Sequence, residues 1–321
     1  MINSFFTISL DFELYWGVKD KRTIASYGEN ILGVRQALPA MLKLFKTNDI
    51  RVTWATVGLL LFQDKADLLA HLPEIRPTYR NPRLNLYSTL DEVGRDERND
   101  PYHFGYSLVR QIQETVGMEI ASHTFGHFNC LEAGATPEAF RSDLEMAKIV
   151  FANLGIAPQS IVFPRNEYDA VALGVARDAG FQVYRSNPAH RFFVTEAQSQ
   201  EGKAKRFGRW LDSYVNVAGH LLSSPGRDCG MVNVPASRFL RPFSRQLAHL
   251  DGLRVMRITN SMTAAAIAGL GFHLWWHPHN FGSDFDANMG NLQKIVRHFL
   301  DLRERYGMRS MTMSDVFEAR I

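Results

Sequence analysis

Cysteine is scarce in this chain. Cys130 and Cys229 are the only two in 321 residues, too few for a disulfide framework and in keeping with a reducing compartment. Net charge is small as well, +3 at pH 7, which gives no support for nucleic-acid binding by whole-molecule electrostatics. No uninterrupted apolar run approaches the ~20 residues a membrane-spanning helix needs. No secretory leader is expected either. Met1-Ile2-Asn3-Ser4 runs straight into an apolar stretch, with Asp11 and Glu13 close behind, and lacks a basic region and a small-residue cleavage site. These absences predict a soluble, cytoplasmic chain, with peripheral membrane contact left open. No internal repeat, low-complexity tract or linker-like run interrupts the sequence, so one domain over residues 1–321 is expected.

What is present is ordinary in bulk and informative in pattern. Hydrophobic residues make up 45% and charged residues 21%, as in a globular protein rather than a disordered one. From Phe5 onward the sequence alternates: Phe6, Ile8, Leu10 and Phe12 share one face, while Thr7, Ser9, Asp11 and Glu13 share the other. That pattern predicts a strand with a buried even face and two carboxylates closing its odd face. Residues 31–46 carry an apolar stripe at helical spacing, with Pro39 leaving the helix start open. Strands are expected over 51–57, 117–122, 160–163, 182–185, 272–277 and 310–313. Helices are expected over 137–154, 170–179 and 288–306. Strands alternating with helices predict an α/β fold with a mostly parallel sheet. Two polar, irregular stretches, about 72–106 and 186–254, read as long loop insertions. The second holds ten Lys/Arg against five Asp/Glu.

Four strand ends carry chemistry. His123 and His127 sit four apart in Ser122-His123-Thr124-Phe125-Gly126-His127. Gly126 disfavours a helix there, so a turn that aims both imidazoles at one point is the alternative. Imidazole suits Zn, Co, Ni or Fe, although a bare pair at this spacing also fits two histidines without a special role. Asp11 and Glu13, two apart in a strand, point the same way. Like charges that close call for a cation, an arginine or a shared proton; a polar strand end at the surface is the plainer alternative. Arg165, in Phe163-Pro164-Arg165-Asn166, is suited to hold a carboxylate, or to be a solvated loop arginine. In Phe272–Asn280 the odd positions carry His273, Trp275, His277 and His279, and a histidine at the strand end is a candidate general acid. In a β/α barrel all of these strand ends meet at one face, where barrel enzymes place their active sites.

At these residues the sequence resembles the polysaccharide deacetylase family, the NodB-homology carbohydrate esterases of the family 4 type. His123-Thr124-Phe125-Gly126-His127 matches that family's HTxxH motif in full, and the likeness runs from Phe5 to about Met313. It implies a distorted (β/α)7-type barrel and hydrolysis of an N-acyl, typically acetyl, group on an amino sugar. By resemblance, Asp11 is the catalytic base, and Glu13, His123 and His127 bind the metal, because Phe12 takes the place of the family's usual second aspartate. The resemblance also assigns Arg165 to keep Asp11 ionised, although it lies one position away from the family's arginine. It makes His277 the acid that protonates the leaving amine, with His279 as second choice. A backbone N–H near Thr124 or Phe125 is expected at the oxyanion. Zn2+ is the default ion, with Co2+, Fe2+ and Ni2+ as alternatives.

Trp16, Trp275, His279 and Asn166 are expected to contact substrate, the tryptophans by stacking on a sugar. Cytosolic placement favours a lipid- or nucleotide-linked precursor of polysaccharide assembly, and the basic surplus of 186–254 suits a diphosphate or an anionic membrane surface. Two other functions stay open: an amidase for a small non-sugar N-acyl or cyclic amide compound, and a non-catalytic carbohydrate-binding relative. Oligomeric state is not specified by the sequence.

Overall fold

The computed structural model describes residues 4–194 and 202–319. Its strands are β1 (Phe5–Phe12), β2 (Val52–Thr56), β3 (Met118–Ser122), β4 (Ser160–Ile161), β5 (Val183–Tyr184), β6 (Gly226–Asp228), β7 (Met231–Asn233), β8 (Arg238–Phe239), β9 (Gly271–Trp276) and β10 (Arg309–Ser310). They form one sheet in the order β6-β7-β5-β4-β3-β2-β1-β9-β8, with β10 beside β1. Every pairing is parallel except that of β6 with β7.

One extended segment turns this sheet into a barrel. Its first half bonds to the β5 side, where Val232 and Val234 donate to the carbonyls of Gln182 and Tyr184 at 2.8 and 2.9 Å. Its second half bonds to β9, where Ser237 and Leu240 donate to the carbonyls of His273 and Trp275, both at 2.8 Å. Residues 231–240 therefore serve as the seventh stave of a distorted (β/α)7-type barrel, as expected from the sequence. They fall within the stretch 186–254 that reads as a loop insertion. That stretch also contains β6 and a helix, so only part of it is excursion.

The helices are α1 (Ile24–Thr47), α2 (Lys65–Ala70), α3 (Tyr106–Glu114), α4 (Pro137–Ala152), α5 (Ala170–Asp178), α6 (Lys203–Asp212), α7 (Asp251–Ala268), α8 (Phe285–Tyr306) and α9 (Met313–Glu318). α1 begins earlier than its apolar stripe suggests, because Thr23 and Ser26 cap its N-terminus reciprocally; Pro39 sits inside it without ending it. Among the described residues no helix is long and apolar enough to cross a membrane.

Both faces of β1 are buried, for different reasons. Its even residues, together with Phe272, Leu274 and Trp276 of β9, pack on α1, α7 and α8 in the largest core cluster. Burial of each such side chain contributes about 1.5–3 kcal/mol. The odd residues face the barrel interior. There the lower half is dry: Ala55, Val162, Val183 and Val232 meet Met311, Met313 and Val316, which plug the floor. The Glu119 carboxylate fixes this plug, accepting from Thr53 Oγ1, Ser160 Oγ and the Ser314 N–H. The upper half of the interior, at the C-terminal strand ends, is polar.

Candidate active site

The polar network starts two residues before the end of β1. Ser9 Oγ accepts from Arg185 at 2.9 Å and lies 2.8 Å from Nε2 of buried His273. The His273 Nδ1–H donates to the Val234 carbonyl, so its Nε2 accepts the Ser9 hydroxyl proton. Asp11 follows on the same face. Arg185, directly after β5, donates to both its carboxylate oxygens at 2.7 and 2.8 Å. Burial pushes the Asp11 carboxyl up most strongly, but the Arg185 charge and hydrogen bonds, with the His123 and His277 charges, together outweigh it and hold the group below its usual range.

Glu13 lies just beyond the strand, fully enclosed. Its Oε2 is 3.4 Å from His123 Nε2 and 3.1 Å from His127 Nε2. Burial again raises this carboxyl; the His277 charge and the close approach of the His123 and His127 rings bring it well below its ordinary value. Gly17 closes over it, and a Cβ there would lie 1.9 Å from the Glu13 carboxyl carbon.

The two histidines come from a strained turn after β3. Thr124 and His127 have φ of +65° and +52°, a conformation costly for residues with side chains. Asp143 of α4 holds the turn by accepting the N–H groups of Phe125 and Gly126 at 2.8 and 2.9 Å. The His123 Nδ1–H donates to the Val162 carbonyl at 2.7 Å, which leaves Nε2 as the lone-pair nitrogen. That buried Nε2 has no hydrogen-bond partner, an arrangement expensive to maintain unless another group takes the lone pair. With Glu13 and His127, its ligand atoms lie within 4.8 Å of one another. Two imidazoles and a carboxylate suit a divalent ion of the zinc type, and the donor set fits one.

His277, just after β9, completes the site. Its Nε2 lies 3.5 Å from Glu13 Oε1 and 3.8 Å from Asp11 Oδ2, and its side chain is 23% exposed. It faces a cavity of about 330 Å³ that Trp275, Asn166 and Phe239 also line.

Residues 26–184 match the family model described as polysaccharide deacetylase. The chain contains a polysaccharide deacetylase family domain. No curated protein matches the chain. Among solved structures, a Mycobacterium smegmatis protein described as a polysaccharide deacetylase superposes with a TM-score of 0.63 at 13% identity, covering 99% of this chain and 90% of that one. A Pseudomonas aeruginosa PAO1 protein of the same description gives 0.57 at 12% identity, covering 98% and 89%. A 4-alpha-glucanotransferase from Thermococcus litoralis gives 0.53 at 14% identity, covering 98% of this chain and 38% of that one. At such identities these likenesses concern the barrel, not the chemistry performed on it.

Within this deacetylase-family barrel, Asp11, Glu13, His123, His127 and His277 come together at one face. Four other expectations change. The guanidinium that holds Asp11 is that of Arg185; Arg165 instead pairs with Asp20 at 2.7 Å. Trp16 offers no sugar platform, being 1% exposed with its indole N–H donated to the His103 carbonyl. His279 is buried behind His277, their rings stacked 5.0 Å apart, and burial pushes its pKa down to about 3. The amides proposed for an oxyanion are taken: Thr124 N–H bonds to Ser122 Oγ and Phe125 N–H to Asp143. Asn166 lines the cavity and accepts from Arg185 Nε at 3.0 Å.

Sequence reasoning missed Arg185, Ser9 and His273 as one unit. The signal for the last two was parity: both fall on inward faces of adjacent strands.

Proposed function

We propose that this chain is a metal-dependent amide hydrolase that removes an N-acyl group, preferentially acetyl, from an amino sugar in a lipid- or nucleotide-linked precursor. The observation that carries the reading is the meeting of Glu13, His123 and His127 with the Asp11–Arg185 pair and with His277, which itself lines the cavity. Zn2+ is the ion we assign, and Co2+, Fe2+ or Ni2+ would suit the same donors.

Glu13, His123 and His127 would hold the ion. Bound there, it would supply Lewis acidity, polarising the acyl carbonyl and acidifying a water so that a carboxylate as weakly basic as Asp11 can deprotonate it. Asp11 takes the proton of the attacking water, and Arg185 keeps it ionised and aimed between turnovers. The water oxygen joins the acyl carbon, the C–N bond breaks, and His277 delivers a proton to the departing nitrogen. The products are a carboxylic acid and the free amine. Trp275 and Asn166 form the nearby cavity wall on which the sugar rests.

Metal content and acetate release from purified protein test this directly. Wild type should carry one divalent ion per chain, His127→Ala should lose it, and Asp11→Asn should keep it without turnover. Full activity in Asp11→Asn would remove Asp11 as base. A wild-type protein that takes up no metal and releases neither acetate nor formate from sugars would leave a carbohydrate binder.

A further inference from the structure

The cavity beside His277 is lined by six arginines and two carboxylates, and most of its arginines are already answered. Asp212 takes two of them, Arg238 at 2.7 Å and Arg257 at 3.3 Å. Arg165 pairs with Asp20. Arg254 pairs with Asp251 and donates to the carbonyls of Arg241 and Pro242. Arg241 differs. Among the described residues no carboxylate or carbonyl accepts from its half-buried guanidinium, and its charged neighbours are Arg209 and Arg254, both of its own sign, with the Tyr214 phenol beside them.

A guanidinium kept partly out of water next to two others is unfavourable unless an anion joins it. We propose that Arg241, with Arg254 beside it, forms an anion subsite that binds a phosphoryl group on the substrate. A phosphoryl group presents several oxygens to a planar fork of donors and carries charge enough to meet more than one arginine. A carboxylate offers two oxygens and a single charge, a poorer match. The cavity holding this subsite also reaches His277 and Trp275, so the sugar and its phosphoryl group share one enclosed space. Placement of that phosphoryl group on an N-acyl sugar rests on the proposed hydrolysis; anion binding at Arg241 does not.

Calorimetric titration with inorganic phosphate tests the subsite on metal-loaded wild type, Arg241→Gln, Arg241→Lys and His127→Ala. Wild type and His127→Ala should bind alike, Arg241→Gln about tenfold more weakly, and Arg241→Lys between them. Unchanged binding in Arg241→Gln, or its loss in His127→Ala, would overturn the assignment, the latter by placing the anion at the metal. Stronger binding of glucuronate than of phosphate would overturn the choice of a phosphoryl group. In kinetics, Arg241→Gln should lower kcat/KM for N-acetylglucosamine 1-phosphate, for its uridine diphosphate form and for a prenyl-phosphate-linked form, but not for the free sugar. The most affected substrate identifies the source of the phosphoryl group, and an equal loss on all four would refute the subsite. Phosphate binding that depends on Arg241 in a protein that cleaves no N-acyl sugar would keep the subsite and discard the hydrolase reading.

Discussion

Arg185 holds both oxygens of Asp11 at 2.7 and 2.8 Å while its own Nε donates to Asn166. The pair is fully enclosed, so neither member has water to fall back on. Arg185→Met should therefore cost about 3–5 kcal/mol of stability by leaving a buried carboxylate alone. It should also lower kcat by about 10²–10⁴-fold as Asp11 loses its ionised, aimed state. Arg165→Ala, which removes pairings with Asp20 at 2.7 Å and Glu132 at 4.0 Å rather than the partner of Asp11, should lower kcat far less. Urea unfolding and acetate-release kinetics on both variants separate the two arginines. An Arg165→Ala loss equal to that of Arg185→Met would contradict the observed pairing.

Gly17 controls where the Glu13 carboxylate can sit. A Cβ at this position would stand 1.9 Å from the carboxyl carbon and 2.2 Å from each of its oxygens. The obstructed atoms end a flexible side chain, so Gly17→Ala should fold normally and swing Glu13 away from His123 and His127. Metal affinity should fall by about 10–100-fold, with little change in melting temperature. Competition with a chromogenic chelator measures the first and thermal unfolding the second. An unchanged metal affinity would mean that Glu13 is not a ligand.

The parts of this site that were legible in the sequence were those fixed by short-range geometry. Alternation in β1 put Asp11 on an inward face, and the spacing of His123 and His127 around Gly126 favoured a turn over a helix. Arg185 was not legible because its strand, β5, has two residues and no periodicity to show which way its end points. Arg165 drew attention through its motif, but its φ of +59° turns it toward Asp20 instead. The seventh stave was hidden for a related reason: Pro235 interrupts its pattern, and residues up to Ala236 bond toward β5 while those from Ser237 bond to β9. Burial of Trp16 depends on the His103 carbonyl, 87 positions away, and no local pattern encodes that contact.

His273 gives the fold an acid-sensitive point. It is buried in neutral form, bonded to the Val234 carbonyl and Ser9; burial foremost, then the Arg185 charge, pushes its pKa down to about 3. An unfolded histidine titrates near 6.5. Between about pH 6.5 and 3 the unfolded chain therefore binds a proton that the folded chain does not, and stability falls as pH drops through that window. His279, also pushed down to about 3 by burial, acts with the same sign. His273→Gln keeps an acceptor for the Ser9 hydroxyl but cannot be protonated. Its denaturation midpoint should decline less than that of wild type between pH 7 and pH 5 (values chosen to straddle the unfolded pKa). Parallel declines would show that His273 is not buried neutral.

Trp16 and Trp275, both expected to stack on a sugar, should fail in opposite ways. Trp275 lines the cavity and lies under the Arg185 guanidinium, whose carbon is 4.3 Å from the ring centroid. Truncating it removes both a wall for the sugar and a cation–π contact worth about 0.5–2 kcal/mol. Trp275→Ala should therefore raise KM and lower kcat, and Trp275→Phe, which keeps a ring face, should recover much of both. Trp16 is sealed against His103, with ring centroids 4.7 Å apart. Trp16→Phe strips the buried His103 carbonyl of its 2.7 Å partner, which should cost about 1–3 kcal/mol of stability. KM should stay unchanged, since the ring touches no substrate. A rise in KM for Trp16→Phe at full stability would mean that the loop carrying Trp16 opens to admit the sugar.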